Sequence, residues 1–308
     1  MRTAPFRHEA LFYAGTDDFV AQAVPFIRGG VAAGEPVLVA VGADRIARLR
    51  EELDGDAEHV RFADMAELGA NPGRIIPAWR DFVGDDDTAR PVRGIGEPIW
   101  PGRDGAELAE CHRHEALLNL AFAGTPAFWL VCPYDTEALA DDVLAEAQRT
   151  HPLLVEGGAQ RPSEGYAGLD AIAAPFADPL PDPPHPVEEV PFGEQDLGAV
   201  RAIVAGAARD AGLPRTRAEE AVVAVHELAS NSVRHGGGRG VLRAWQQDGA
   251  LVCEVRDRGR IEDPLVGRRR PEPRDDGGYG VWLVNQLCDL VQVRSFADRG
   301  VVRVHVRR

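Results

Sequence analysis

The chain has 308 residues, 44% hydrophobic and 27% charged, an ordinary globular mixture long enough for two domains. All 34 of its basic residues are arginine; without lysine there is no Walker A loop, no protein-kinase strand lysine and no pyridoxal Schiff base. The net charge of −15 comes from the amino-terminal part, and neither half has the basic footprint of a direct nucleic-acid binder.

In chain order, Glu9–Tyr13 reads as a short apolar strand, and Thr16 as the cap of a helix with Asp17 and Asp18 in its first turn. Pro36–Val41 is a continuous apolar run, as buried parallel strands require. Helix 44–53, strand 59–63, a helix over 72–83 entered through proline, strand 92–96, helix 106–123, strand 127–132 and helix 137–149 follow. This alternation predicts a parallel sheet with helices on both faces. Ligands of such sheets sit beyond the carboxyl ends of the strands, here Gly96-Glu97 with Trp100 nearby, and Cys132-Pro133-Tyr134-Asp135. Cys111-His112-Arg113-His114 fails as a metal site, because 111 and 114 share a helix face that 112 leaves, and no second cluster is visible.

From Pro175 to Pro191 prolines favour an extended spacer, which divides a domain over 1–174 from one over 187–308. Beyond it lie helices at 197–211 and 217–234, separated by Gly212 and Pro214. Glu227 and Asn231 are four residues apart, so they project from one face of the second helix. Strands 240–246 and 251–256 follow, the latter running into Asp257-Arg258-Gly259. An Arg- and Pro-rich loop with Arg268, Arg269, Arg270 and Arg274 leads to Gly277-Gly278-Tyr279-Gly280 and a helix over 281–290. Strands 291–295 and 301–306 close the series.

The amino-terminal landmarks carry a resemblance. His8 and Tyr13 in HEALFY, Gly96-Glu97-x-x-Trp100, His114-Glu115, Cys132-Pro133-Tyr134-Asp135 and His151-Pro152 resemble the MEDS sensory family over roughly residues 8–160. The resemblance implies a RecA-like three-layer α/β fold without a working P-loop and a sensory role for an unknown small-molecule or protein signal. His8, Tyr13, Glu97, Trp100, Tyr134 and Asp135 form the candidate sensory pocket.

Glu227-Leu-Ala-Ser-Asn231 with His235, then Asp257-x-Gly259, then Gly278-x-Gly280 opening a helix, resembles the GHKL ATPase plan in its anti-sigma-factor serine kinase branch. That implies an α/β sandwich, a mixed sheet covered by helices, that binds ATP with Mg2+. Asn231 would supply a neutral oxygen to the hard cation, and Glu227 would be the catalytic base. Asp257 would accept the adenine amino hydrogen. Gly259, Gly278, Gly280 and His235 complete the nucleotide-binding set, with the helix amino terminus offering amides to phosphate. Two positions depart from the pattern: Ile261 stands where a further glycine is common, and Val301 and Val302 where a threonine is.

The implied function is a sensor-regulated anti-sigma factor that phosphorylates an anti-anti-sigma protein and otherwise holds a sigma factor. A non-catalytic, nucleotide-dependent binding module is the second reading. A histidine kinase is the third, disfavoured because the proline run around His185 occupies the place of the phosphoacceptor helix pair. No apolar run approaches the roughly 20 residues that span a bilayer, the amino terminus lacks a secretory signal core, and Cys111, Cys132, Cys253 and Cys288 form no Cys-x-x-Cys pair. A cytoplasmic protein with reduced thiols and no membrane partner is expected, with homodimerisation left open.

Overall fold

The structure, a computed structural model, describes residues 6–84, 90–103, 105–125, 127–168, 170–271 and 279–308. The chain divides into two compact units, Met1–Ile172 and Ala173–Arg308.

The first unit runs β1 (Arg7–Tyr13), α1 (Gly15–Ala32), β2 (Val37–Val41), α2 (Ala43–Leu53), β3 (Val60–Asp64), α3 (Met65–Leu68), α4 (Ile75–Val83), β4 (Val92–Gly96), α5 (Gly105–Ala121), β5 (Phe128–Asp135), α6 (Asp141–Thr150), β6 (Leu153–Glu156) and β7 (Ala159–Pro162). Its seven strands are ordered β3-β2-β4-β5-β1-β6-β7, parallel except for the antiparallel pair β6/β7. The expected α/β sheet is therefore present, with one antiparallel edge. Every residue of β2 is buried, because helices cover both faces of such a sheet. Phe19, Val20, Ala23 and Ile27 of α1 pack with Val37, Val39 and Val41. Gly94 and Gly96 of β4 admit the Trp79 indole, since a Cβ at either would lie under 3.0 Å from it.

Local details differ from expectation. Helix α1 starts at Gly15 and receives no side-chain cap; Asp18 Oδ2 instead accepts from the Ala14 amide at 2.8 Å. The segment 72–83 is a 3-10 turn, Pro72–Arg74, followed by α4. Strands β6 and β7 were not foreseen: four residues each are too few for a periodicity signal.

After α7 (Asp170–Ala177), the second unit contains β8 (Val190–Gly193), α8 (Leu197–Asp210), α9 (Arg215–His235), β9 (Arg239–Gln247), β10 (Ala250–Asp257), α10 (Tyr279–Leu287), β11 (Leu290–Ser295) and β12 (Gly300–Arg307). The sheet order is β11-β12-β10-β9-β8. All its pairs are antiparallel, not the mixed sheet expected. Val204, Ala221, Val225, Leu228, Leu251, Cys253, Val255, Val284 and Val304 form the core between the helices and one sheet face.

On the other face Glu254, 0% exposed, accepts from Arg303 at 2.6 Å, Arg256 at 2.7 Å and Arg243 at 3.3 Å. Part of the Pro-rich stretch is bound here. The Asp178 carbonyl accepts from Arg294 at 3.1 Å and the Pro181 carbonyl from Arg303 at 2.8 Å. Glu189 lies 3.8 Å from Arg256. A proline-rich strand lacks amide donors but keeps its carbonyls, and arginine donors suit it. The stretch is thus tied to the sheet of its own unit. Among the described residues no helix is long and apolar enough to cross a membrane.

Candidate nucleotide site and a second polar cluster

In the second unit a cleft of about 390 Å3 opens between α9, α10 and the ends of β10 and β12, within the range of small-molecule pockets. Glu227, Asn231, His235, Asp257, Gly259 and Gly280 all line it; Gly278 and Arg274 lie outside the described residues. The inward stripe of α9, with Ala221, Ala224, Val225, Leu228, Ala229 and Ser232 buried, turns Glu227 and Asn231 to the cleft edge. Asp257 ends β10, where Oδ2 accepts from the Ser232 hydroxyl at 2.6 Å and Oδ1 from the Gly259 amide at 2.7 Å. These two bonds aim the carboxylate and leave acceptor capacity on both oxygens.

The glycines act by close approach. A Cβ at Gly236 would lie 2.6 Å from Asp257 Oδ2. One at Gly259 would lie 2.9 Å from Asp257 Oδ1, and one at Gly280 2.7 Å from Asn231 Nδ2. Val255, Ile261, Val266, Val281 and Val302 add apolar wall. The cleft thus combines an acceptor at the end of β10 with apolar wall and, one turn apart on α9, the Glu227 carboxylate and the Asn231 amide. Ile261 and Val302, two of the three residues that depart from the pattern, both line this cleft. Ser232 and Gly236 also line the cleft and were not singled out from the sequence; Ser232 directly follows Asn231, and Gly236 directly follows His235. Of the loop arginines, Arg268 is 4% exposed, and Arg269 lies 3.9 Å from Asp263.

In the first unit the candidate sensory residues separate into two groups. The sheet order sets the carboxyl ends of β4, β5 and β1 side by side. There Tyr13 donates to Glu97 at 2.8 Å, and Arg45 from α2 pairs with Glu97 and lies 3.5 Å from Asp135. Burial raises the Glu97 pKa against the opposing pull of Arg45 and Tyr13, and burial likewise raises that of Tyr13. Trp100 stacks with Arg103, whose guanidinium lies 3.7 Å over its ring. A cleft of about 660 Å3 in this unit is lined by Leu11, Gln22, Phe26, Ile95, Trp129 and Val131 among others, and by none of the six predicted residues.

His8 and Tyr134 belong to the other group. His8 on β1, Glu115 on α5, Cys132 on β5 and His151 after α6 bring one ligand atom each to within 4.8 Å of one another, all buried. Tyr134 stands edge-on to His151, with ring centroids 5.6 Å apart. Burial, then the neighbouring His151, lower the His8 pKa to about 4, so its imidazole is neutral. Glu115, Cys132 and His151 were sequence landmarks without an assigned role, and the tertiary fold supplies the second cluster that the sequence did not show. Cys111 donates instead to the Pro98 carbonyl at 3.3 Å.

Comparison with known proteins agrees with both halves. Residues 7–152 match the family described as MEthanogen/methylotroph, DcmR Sensory domain, and residues 190–306 the Histidine kinase-like ATPase domain. The chain is 30% identical over 126 residues to Serine-protein kinase RsbW of Halalkalibacterium halodurans, covering 37% of this chain and 76% of the relative. A solved structure of the RsbU and RsbW domains of a Mycobacterium tuberculosis protein aligns at 16% identity with a TM-score of 0.30, over 67% of this chain and 49% of that one. Through residues 190–306 the chain belongs to the histidine kinase-like ATPase family, with similarity to the RsbW serine kinases, and it carries a MEDS sensory domain in front.

Proposed function

We propose that the protein is a sensor-regulated anti-sigma factor of the cytoplasm. It binds Mg-ATP in the carboxyl-terminal cleft and phosphorylates a serine of an anti-anti-sigma partner, and it releases or holds a sigma factor accordingly. The observation that carries this reading is the placement of Glu227 and Asn231, one helical turn apart at the edge of a cleft whose far end holds Asp257. ATP supplies the phosphoryl group. Asp257, held by Ser232 and Gly259, accepts from the adenine amino group. The amide oxygen of Asn231 orients the cation beside the phosphates. Glu227 accepts the proton of the attacking serine hydroxyl, directly or through one water.

Ile261 and Val302 in the cleft favour a second reading, in which nucleotide shapes a docking surface without transfer. Glu227→Ala separates the two. Mg-ATP affinity should stay within a few fold by calorimetry, while phosphate transfer to the partner falls by about 10²–10⁴-fold, the usual cost of losing a general base. A wild-type protein that binds its partner and Mg-ATP yet transfers no phosphate selects the binding module.

A further inference from the structure

The four buried side chains in the first unit present a proton-counting problem. His151 Nδ1 is 2.8 Å from the Ala147 carbonyl oxygen, which can only accept, so Nδ1 carries a proton and Nε2 is the nitrogen left to face the cluster. His8 Nδ1 faces Asn119 Oδ1 at 3.1 Å. The Asn119 amide cannot be turned over, because its nitrogen donates to the Thr150 carbonyl at 2.7 Å. His8 therefore also carries a proton on Nδ1, and its Nε2 is the nitrogen that faces the cluster. Both Nε2 atoms then point at Glu115 Oε2, each at 3.2 Å, and His8 Nε2 is 3.3 Å from Cys132 Sγ. His151 Nε2 and Glu115 Oε1 make no hydrogen bond, although His8, Glu115 and His151 are each 1% exposed or less. Buried polar atoms that converge without hydrogen bonds are costly unless a cation lies between them.

We propose that His8 Nε2, His151 Nε2, Glu115 and the Cys132 thiolate bind one divalent transition-metal cation of the zinc class. Zinc–nitrogen and zinc–oxygen bonds of about 2.0–2.1 Å and a zinc–sulfur bond of about 2.3 Å give a tetrahedron with edges of roughly 3.3–3.6 Å. The measured separations of 3.2, 3.2 and 3.3 Å are close to such edges. Each imidazole already has its remaining N–H on a carbonyl-type oxygen, the outer-shell arrangement that fixes a metal-binding histidine. Binding expels the thiol proton, and one thiolate plus one carboxylate then cancel the double positive charge, so the buried site is neutral. The set of one sulfur, two nitrogens and one oxygen suits a borderline-soft cation and does not suit calcium or magnesium. Four protein ligands leave no open position, which makes the site structural or sensory. Ligands from β1, α5, β5 and the start of the α6–β6 connection cross-link the unit. The proposal is independent of the nucleotide site.

The test uses the full chain, purified without a histidine tag. Elemental analysis should find about one zinc or similar first-row metal per chain. Stripping with a strong chelator should lower the melting temperature, and added zinc should restore it. Cobalt(II) in the stripped protein should give the intense visible bands of a tetrahedral site together with a thiolate charge-transfer band, and Cys132→Ser should lose that band. If Cys132→Ser does not fold, zinc-edge X-ray absorption on the wild-type protein decides instead, by showing one sulfur neighbour per zinc. The proposal is overturned by a stripped chain that takes up neither ion, by a charge-transfer band that survives Cys132→Ser, or by bound zinc without a sulfur neighbour.

Discussion

Gly236→Ala tests the proposed recognition of adenine by Asp257. Gly236 has φ −93° and ψ 17°, which alanine adopts without strain, so any effect must come from the added methyl group. That Cβ would stand 2.6 Å from Asp257 Oδ2 and 2.7 Å from Asp257 Cβ, where unstrained contacts between carbon atoms are about 3.5–4.0 Å. Asp257 must retreat by roughly 1 Å, which breaks its alignment with Ser232 and with the adenine amino group. A hydrogen bond to a charged group is worth about 1.5–3 kcal/mol, so ATP should bind roughly 10- to 150-fold more weakly. Calorimetric titration with Mg-ATP measures this, and a melting curve checks that the variant is folded. Gly238→Ala is the control. Gly238 has φ +82° and nothing near its Cβ position, so alanine should cost about 1–2 kcal/mol of backbone strain and leave affinity unchanged. A folded Gly236→Ala protein that binds ATP like wild type would refute the role given to Asp257.

Arg45→Met should destabilise the first unit by about 3–5 kcal/mol near neutral pH, because it leaves the Glu97 carboxylate buried without its partner. The sign with pH follows from the raised Glu97 pKa. Loss of Arg45 raises it further, so the folded state retains a proton that the unfolded state gives up, and stability falls as pH rises from the unfolded pKa to the folded one. Chemical denaturation should therefore show a smaller defect at pH 5 than at pH 8, and an equal defect at both would contradict the assignment. Glu254→Gln removes the buried negative charge that pairs with Arg243, Arg256 and Arg303, leaving the more exposed Glu189 near Arg243 and Arg256. Urea unfolding should show a loss of about 3–5 kcal/mol, and a loss below 1 kcal/mol would mean that solvent already screens the arginines.

The sequence by itself determined most of the elements and most of the residues of the candidate nucleotide cleft. The apolar run of β2 and the helical period of α9 identify those elements, because burial on a regular backbone leaves a periodic trace. Glu227 and Asn231 are neighbours by helix geometry alone, and Asp257 and Gly259 share one turn, so local spacing already places them. The missing lysines excluded the P-loop plan without any structure. Tertiary structure decided what depends on elements far apart in the chain. Only the strand order β4-β5-β1 sets Glu97 and Asp135 beside Tyr13 and Arg45. The antiparallel pairing of all strands in the second unit comes from register, which periodicity does not report. Residues 8, 115, 132 and 151 are scattered over the amino-terminal half, and no spacing rule connects them. They meet because β1 lies between β5 and β6 while α5 packs with α6, and the direction of their lone pairs is set by the Ala147 carbonyl and the Asn119 amide, which no local sequence pattern records.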